Sequence, residues 1–255
     1  EEQPEFGLGW HDYGARMYMP DLGRWMSVDP HSDRYTSWSP YHYVYNNPVN
    51  GIDPDGRDGI LLVWKNYPAG GIPLTGHAGV LLIDNKTGLT KYYEYGRYDK
   101  DNYGIVRHYA VPDVVLGNDG KPTAESLNKV LGFITEKSGT KEGKQYDLSG
   151  AYFESDKFKE MNDYAQGRLK ENSNPDRKEY SLWNNNCGDF GCETLKQDEN
   201  IEGKSPLIEA PDPYSLIDQY QGSSDYNLQY TPGKGTTVNY GNITVNYDQQ
   251  LGKTT

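Results

Sequence analysis

The sequence predicts an α+β fold in which an antiparallel sheet packs against helices and a short all-β segment precedes them. The apolar runs at residues 60–64 and 76–84 and the run at 91–95 have the length and composition of neighbouring strands. Residues 123–138 carry apolar side chains at the helical spacing i, i+3, i+4 and i+7. Residues 1–57 instead alternate aromatic and turn-forming residues, which indicates short strands and tight turns.

The predicted strands of the sheet follow one another closely along the chain. Residues 76–84 are apolar on both faces, which is typical of a central strand. The turn from Asp84 to Gly88 connects this strand to residues 91–95 as a hairpin. Residues 104–112 are predicted as a further strand.

Three helices and one ambiguous region complete the prediction. Thr123 caps the first helix, which ends at residue 138. The second helix spans about residues 155–171, and the third begins near Cys187 and ends near Gln197. Residues 226–247 alternate polar and apolar side chains, and this pattern fits either a hairpin or a disordered segment.

These elements divide the chain into three parts. Residues 1–57 form an all-β segment, residues 58–220 form the α+β domain, and residues 221–255 form a tail that is a hairpin or is disordered. Residues 1–57 alone are too few to form a large hydrophobic core, so this segment is expected to pack on repeats that precede it.

The composition restricts the classes of partner. The net charge is −12 and the isoelectric point is about 4.8, which argues against a nucleic acid as the main partner and leaves a nuclease as a minor alternative. No apolar run approaches the roughly 20 residues that span a bilayer, so no stable membrane insertion is expected. The acidic first residues do not form a signal peptide, which indicates a piece of a longer protein or export without a cleavable signal.

Cys187 is the candidate nucleophile. Asn184, Asn185 and Asn186 precede it, and asparagine caps helices well, so Cys187 is expected in the first turn of the third helix. The positive end of a helix favours the thiolate, and its free N–H groups can hold an oxyanion. The alternative at this point is a small buried residue at a helix start.

His77 is the candidate base. His11, His31 and His42 lie in the N-terminal segment, which leaves His77 and His108 downstream. Small residues surround His77 and leave space for another side chain to approach. A structural role for His77 is the alternative, and His108 is the second candidate base.

Glu94 is the candidate third residue, which would orient the imidazole as the carboxylate of a triad does. Symmetric pairing across the predicted hairpin places residue 94 opposite about residue 79, so contact with His77 is expected to need a favourable register or a bulge. A surface carboxylate is the alternative. Other polar side chains compete for this role: Tyr93, Tyr95, Asn185 and Asn186.

The second cysteine, Cys192, is interpreted as a packing residue in the helix interior. On a helix it points to a different face from Cys187, so no disulfide is expected. The downstream cysteines and histidines lack the spacing of metal ligands, so neither a metal nor another cofactor is expected.

Four motifs in the N-terminal segment carry a resemblance. They are Tyr-Gly-Ala-Arg-Met-Tyr at 13–18, Gly-Arg-Trp-Met-Ser-Val-Asp-Pro at 23–30, Ser-Pro-Tyr-His-Tyr-Val-Tyr-Asn-Asn-Pro at 39–48, and Ile-Asp-Pro-Asp-Gly at 52–56. Together they resemble the core motif that ends the shell of Rhs/YD-repeat proteins. The resemblance implies that a variable effector follows, usually a toxin delivered into a target bacterial cell, for example by type VI secretion. It also implies three partners: the Rhs shell, a secretion apparatus and an immunity protein.

Some Rhs cores cut themselves with two aspartates, each in an Asp-Pro turn. Asp53 keeps such a turn here, whereas the turn at Asp29 departs from the usual Asp-Pro-Ile-Gly sequence. A dyad that shares a proton is chemically feasible, but we interpret both aspartates as turn-forming residues.

The effector part resembles the circularly permuted branch of the papain-like NlpC/P60 superfamily, in which histidine precedes cysteine. The sequence Gly-His-Ala-Gly-Val-Leu-Leu-Ile from residue 76 is similar to the histidine strand of that group, and Asn-Cys-Gly-Asp-Phe from residue 186 is similar to its helix start. The resemblance implies that Cys187 is the nucleophile, His77 the base and Glu94 the third residue, although His, Asn or Gln is more usual at the third position.

The predicted function is hydrolysis of an amide, with a peptidoglycan peptide as the substrate that the resemblance favours. A cytosolic protein or a lipid acyl group is the alternative substrate. The alternative class is a non-enzymatic adhesion or cargo module that uses exposed tyrosines for contact. An exposed thiolate within about 4 Å of His77 favours the enzyme, and a buried Cys187 without a base favours the binding module.

Overall fold

The computed structural model describes the ranges 11–12, 17–19, 24–27, 57–71, 75–99, 101, 103–117 and 120–255. The chain divides into two compact units, Glu1–Pro54 and Asp55–Thr255. The predicted boundary after residue 57 falls just inside the second unit, because Arg57 is already the first residue of a strand there.

The first unit contains a small antiparallel sheet of β1 (His11–Asp12), β2 (Met17–Met19) and β3 (Arg24–Trp25), in that order. Most of the Rhs-like motif lies outside the described residues, and so do Asp29 and Asp53. The Rhs resemblance and the roles of these aspartates therefore stay predictions.

The second unit is a mixed α/β structure built on one antiparallel sheet of nine strands. The strands lie in the order β14-β13-β12-β11-β10-β4-β5-β6-β7. Their bounds are β4 (Arg57–Trp64), β5 (His77–Asp84), β6 (Thr90–Gly96), β7 (Ile105–Tyr109), β10 (Leu148–Ser155), β11 (Tyr226–Thr231), β12 (Gly235–Tyr240), β13 (Ile243–Asp248) and β14 (Lys253–Thr254). A separate hairpin contains β8 (Thr140–Lys141) and β9 (Lys144–Gln145).

The three predicted helices are present with shifted ends. They are α1 (Ala124–Ser138), α2 (Phe158–Lys170) and α3 (Cys187–Leu195). The side chain of Thr123 caps α1 by accepting a hydrogen bond from the backbone N–H of Ser126. Two further helices were not predicted, α4 (Glu199–Lys204) and α5 (Pro213–Gln221). None of the helices in the described ranges has both the length and the apolar composition of a membrane span.

The structure differs from the sequence prediction in two regions. The central strand β10 was not predicted, because its Ser149 and Gly150 weaken the strand pattern. Its partners bury it, since it pairs with β4 on one side and β11 on the other. Residues 221–255, predicted as a hairpin or a disordered tail, contain strands that continue the main sheet through this pairing.

The sheet has a hydrophobic core on each face, because successive side chains of a strand point to opposite sides. On β4, Leu61 and Val63 belong to the core that packs against α2, α3 and α5. Ile60, Leu62 and Trp64 belong to the second core, which α1 covers. The candidate site residues are divided between these two faces.

Candidate functional site

His77 and Glu94 lie on adjacent strands and on the same face of the sheet. Glu94 pairs directly with Gly79, and His77 is two residues from Gly79 along β5, so the two side chains are diagonal neighbours within reach of each other. His77 Nε2 lies 3.1 Å from Glu94 Oε2. The expected pairing with residue 79 is confirmed, but the contact needs no bulge.

The imidazole of His77 is held from several sides. It stacks on the indole of Trp64, with ring centroids 5.8 Å apart and planes 15° apart. Tyr67 contacts it at a tilt, with centroids 5.6 Å apart. His77 is 8% exposed and Glu94 is 1% exposed, so both groups lie out of bulk water.

Cys187 is the first residue of α3, as the asparagines before it predict. The side chain of Asn186 accepts hydrogen bonds from the N–H groups of Gly188 and Asp189, and the carboxylate of Asp189 accepts from the N–H of Asn186. This capping box fixes the start of the helix. It also uses two N–H groups of the first turn that were expected to hold an oxyanion. The N–H of Cys187 donates a hydrogen bond to the hydroxyl of Tyr180.

Cys187 belongs to the opposite core from His77, and a gap in the sheet lets the two side chains meet. Pairing between β5 and β6 ends at Gly79 and Glu94, while β6 continues to Gly96 in contact with β7. At this gap the N–H of Ala78 donates a hydrogen bond to the sulfur of Cys187. The side chain of His77 also forms a hydrogen bond with Cys187.

The three groups favour one charge state. Burial lowers the pKa of His77, but its hydrogen bonds to Cys187 and Glu94 and their negative charges raise it more, to about 10. Burial raises the pKa of Cys187, but the hydrogen bond and positive charge of His77 bring the net pKa below its ordinary value. Burial also raises the pKa of Glu94, yet the contact with His77 lowers it to about 2. The arrangement therefore stabilises a thiolate, an imidazolium and a carboxylate in a row.

The sulfur of Cys187 is covered from the outside. Cys187 is 3% exposed, and the hydroxyl of Tyr180 lies 3.9 Å from Sγ. The ring of Tyr180 stacks on Tyr95, with centroids 5.6 Å apart, and the guanidinium of Arg97 lies 5.3 Å from its centre. The Tyr180 hydroxyl is therefore one of the groups that cover the sulfur.

Comparisons with known proteins show the family of the chain. Residues 64–202 match the family described as type VI secretion system effector TseH-like, and this range includes His77, Glu94 and Cys187. The chain belongs to this family. The crystal structure of the type VI secretion system effector TseH is similar over 79% of this chain and 97% of that one, with 30% identity and a TM-score of 0.58.

A second relative covers a short piece only. Salivary gland surface protein 1 of Aedes aegypti is 47% identical over 55 residues, which are 22% of this chain. The matched piece spans 2% of the length of that protein, so it carries no argument about function.

Three other residues that the sequence of this TseH-like chain suggested as site candidates or alternatives contact other groups. His108 Nδ1 lies 2.9 Å from the Tyr92 carbonyl oxygen, and its ring stacks on Tyr93. Asn185 Nδ2 donates to the hydroxyl of Tyr95 at 2.9 Å. Cys192 is fully buried in the core, and burial raises its pKa well above the ordinary value.

Sequence reasoning missed three tyrosines that surround Glu94 in the TseH-like unit. Tyr92 and Tyr109 lie on β6 and β7, and Tyr98 lies in the segment after β6. The spacing of Tyr92 and Glu94 by two residues on a strand was a usable signal for a shared face. The position of Tyr98 follows from the path of the loop and has no such signal.

A polar cavity of about 440 Å³ reaches Asn185, two residues before Cys187, although Cys187 itself does not line it. Tyr95 and Asn185 line it and connect it to the start of α3 through Tyr180, which stacks on Tyr95. Its charged lining residues are Arg168, Glu171, Asp176, Arg177, Lys178 and Glu193. Both signs of charge are therefore present in the lining.

Gly79→Ala is expected to lower the free energy of unfolding by about 1–3 kcal/mol, because overpacking a filled site costs this much. A Cβ at Gly79 would lie 2.4 Å from the hydroxyl of Tyr92 and would push that ring away from Glu94. Urea denaturation measures the change. Gly167→Ala is the matched control, since no atom lies within 4 Å of its added Cβ on α2, and it is expected to stabilise by about 0.5–1 kcal/mol. Equal midpoints for the two variants would contradict this account of Gly79.

Proposed function

We propose that this TseH-like chain is a secreted effector that acts as a cysteine hydrolase inside a target bacterial cell. Cys187 is the nucleophile, His77 the general base and Glu94 the residue that orients the imidazole. The observation that carries the proposal is the double contact of His77, which bonds Cys187 on one side and Glu94 on the other. A histidine with a purely structural role does not need both of these contacts.

In the proposed reaction the thiolate of Cys187 attacks a substrate carbonyl carbon. Nε2 of His77 faces Glu94, so Nδ1 is the nitrogen that exchanges a proton with the sulfur and the leaving group. The C–N bond of the amide breaks, and the imidazolium gives its proton to the departing amine. A water then attacks the thioester, His77 accepts its proton, and the acid product leaves with the thiolate restored.

The oxyanion of each tetrahedral intermediate needs a donor at the start of α3. The N–H of Cys187 is the proposed donor, because the capping box holds the N–H groups of Gly188 and Asp189, whereas the Cys187 N–H bonds only the hydroxyl of Tyr180, whose place the oxyanion takes. The positive end of α3 adds to the same stabilisation.

The order of a histidine strand, a carboxylate on the next strand and a cysteine at a helix start supports a permuted papain-like architecture for residues 58–220. In this proposal residues 1–57 are the remnant of an Rhs core. An immunity protein, the Rhs shell and the secretion apparatus are the proposed partners.

The substrate that fits best is a polar peptide, and a peptidoglycan peptide is the proposed one. The cavity near the site supports this choice because its lining is polar. Arg168 and Glu193 pair with each other there, and Asp176 and Lys178 are further lining residues of opposite charge for the carboxyl and amino groups of a peptide. A lipid acyl chain requires an apolar lining instead. A cytosolic protein amide remains the alternative that the experiment below distinguishes.

Growth of a bacterial host tests the proposal. The full chain is expressed as wild type, Cys187→Ala or Cys192→Ala, and each is directed to the cytosol or the periplasm. We expect growth arrest in the periplasm only, lost in Cys187→Ala and retained in Cys192→Ala, because the sulfur of Cys192 bonds Tyr220 whereas His77 bonds Cys187.

Each outcome of this experiment has a meaning. Arrest in the cytosol only, with the same dependence on Cys187, moves the substrate to a cytosolic protein. Arrest that survives Cys187→Ala sinks the cysteine mechanism and favours the non-enzymatic alternative.

A further inference from the structure

Glu94 is a buried carboxylate whose oxygens accept hydrogen bonds from three tyrosines. The hydroxyl of Tyr92 donates to Oε2 at 2.9 Å, and the hydroxyl of Tyr98 donates to Oε1 at 2.9 Å. The hydroxyl of Tyr109 reaches Oε1 at 3.4 Å. We call Tyr92, Tyr98 and Tyr109 the tyrosine cluster.

The members of the tyrosine cluster come from separate elements. Tyr92 lies on β6, two residues before Glu94, and Tyr109 is its direct partner on β7. Tyr98 follows β6, and its hydroxyl also lies 3.3 Å from His77 Nε2. Both oxygens of Glu94 are therefore engaged, and one of the donors touches the base as well.

The charged groups near Glu94 show why hydroxyl donors are needed. A buried carboxylate is costly unless it is paired or hydrogen-bonded. Arg107 is opposite Glu94 across the β6–β7 pair, but its guanidinium lies over the ring of Tyr98, 3.4 Å from the centre. His77 bonds Glu94 directly, and it bonds Cys187 as well. The negative charge of Glu94 also raises the pKa of Tyr67.

We propose that the tyrosine cluster positions Glu94, so that Oε2 stays aimed at Nε2 of His77 and the imidazolium–thiolate pair is maintained. The inference rests on the proposed function, since it assigns a role to residues around the same His77 and Cys187. The tyrosines are positioning residues: Tyr92 and Tyr109 act on His77 through Glu94, and Tyr98 both through Glu94 and by its own contact. Two strong donors on different oxygens prevent the carboxylate from rotating away from the imidazole.

The test is the rate at which iodoacetamide alkylates Cys187 between pH 5 and pH 10, followed by mass spectrometry of the Cys187 peptide in the full chain. At pH 6 we expect Tyr92→Phe and Tyr98→Phe to slow alkylation about three- to tenfold, the effect of one lost hydrogen bond. At pH 9 to 10 the rates converge, because even an ordinary thiol ionises there. Tyr109→Phe is expected to change the rate at pH 6 less than twofold, roughly, since its contact is longer.

Tyr93→Phe is the matched control, because Tyr93 is the neighbour of Tyr92 on β6 but its hydroxyl donates to Asn162 on the other face. Its pH profile is expected to match wild type. Profiles of Tyr92→Phe and Tyr98→Phe that overlay the Tyr93→Phe profile overturn the inference, even if their melting temperatures fall, because a merely structural role lowers stability without moving the profile.

The proposed function fails in a distinguishable way. If wild-type Cys187 itself alkylates with the profile of an ordinary thiol, the ion pair is absent and both proposals fall. If wild type is reactive at pH 6 and the tyrosine variants equal it, only the role of the tyrosine cluster falls.

Discussion

His77→Ala is expected to lower the rate of substrate hydrolysis by at least about 10³-fold, because in the proposed mechanism it removes both the base that forms the thiolate and the acid that protonates the leaving group. In the wild type, the hydrogen bond and charge of His77 hold the pKa of Cys187 below its ordinary value. Without them, burial alone acts on the thiol and raises its pKa. Wild-type reactivity is expected to begin at a lower pH than that of an ordinary thiol, and the imidazolium persists until the pH reaches about 10.

The alkylation rate of Cys187 gives a second measurement that needs no substrate. At pH 7 we expect His77→Ala to reduce this rate by roughly 30-fold or more, since a thiol with a pKa at or above its ordinary value is only a few per cent ionised. The wild-type and variant rates are expected to approach each other near pH 10.

His108→Ala is the matched control for His77. His108 is the other histidine of the effector unit, and its ring contacts the Tyr92 carbonyl and Tyr93. We expect hydrolysis and alkylation within about twofold of wild type for this variant, which is the size of an ordinary surface effect. Loss of activity in His108→Ala together with normal activity in His77→Ala would show that the base is assigned wrongly.

The wild type is expected to lose about 3–6 kcal/mol of its free energy of unfolding as the pH rises from 4 to 8, and Asp58→Asn is expected to abolish this loss. The pKa of Asp58 is raised to about 8, and burial is the largest cause. Of the two nearby charges, Glu154 raises this pKa more than Lys121 lowers it. Between its unfolded pKa near 4 and about 8, the folded state keeps a proton that the unfolded state releases. Stability therefore falls as the pH rises through this window, and an uncharged Asn at this position does not titrate.

Denaturation in urea at several pH values measures this effect. The wild-type free energy of unfolding is expected to decline from pH 4 to pH 8 more steeply than that of Asp58→Asn, in which the amide can still accept the hydrogen bond that Tyr152 donates to Asp58. Asp163→Asn, an exposed carboxylate on α2, is the control and is expected to keep the wild-type slope. Parallel slopes for wild type and Asp58→Asn would contradict a buried neutral carboxyl group.

Local patterns in the sequence determined much of the second unit. The strands around residues 60–64, 76–84 and 91–95 and the helices near 123–138 and 187 are present, because hydrophobic periodicity and capping residues act over a few neighbours. The placement of Cys187 at a helix start followed from the asparagines before it for the same reason. Strand β10 escaped this reasoning, because its stability comes from burial between two partner strands.

By itself the sequence determined the type and order of the candidate residues: His77 on a strand, Glu94 on the next strand and Cys187 at a helix start. Only the tertiary structure decided how they meet, because contacts between distant segments depend on register, faces and loop paths. The end of the β5–β6 pairing at Gly79 lets a cysteine from one face of the sheet reach a histidine on the other. The loop after β6 likewise brings Tyr98 onto Glu94, a contact that no local pattern encodes.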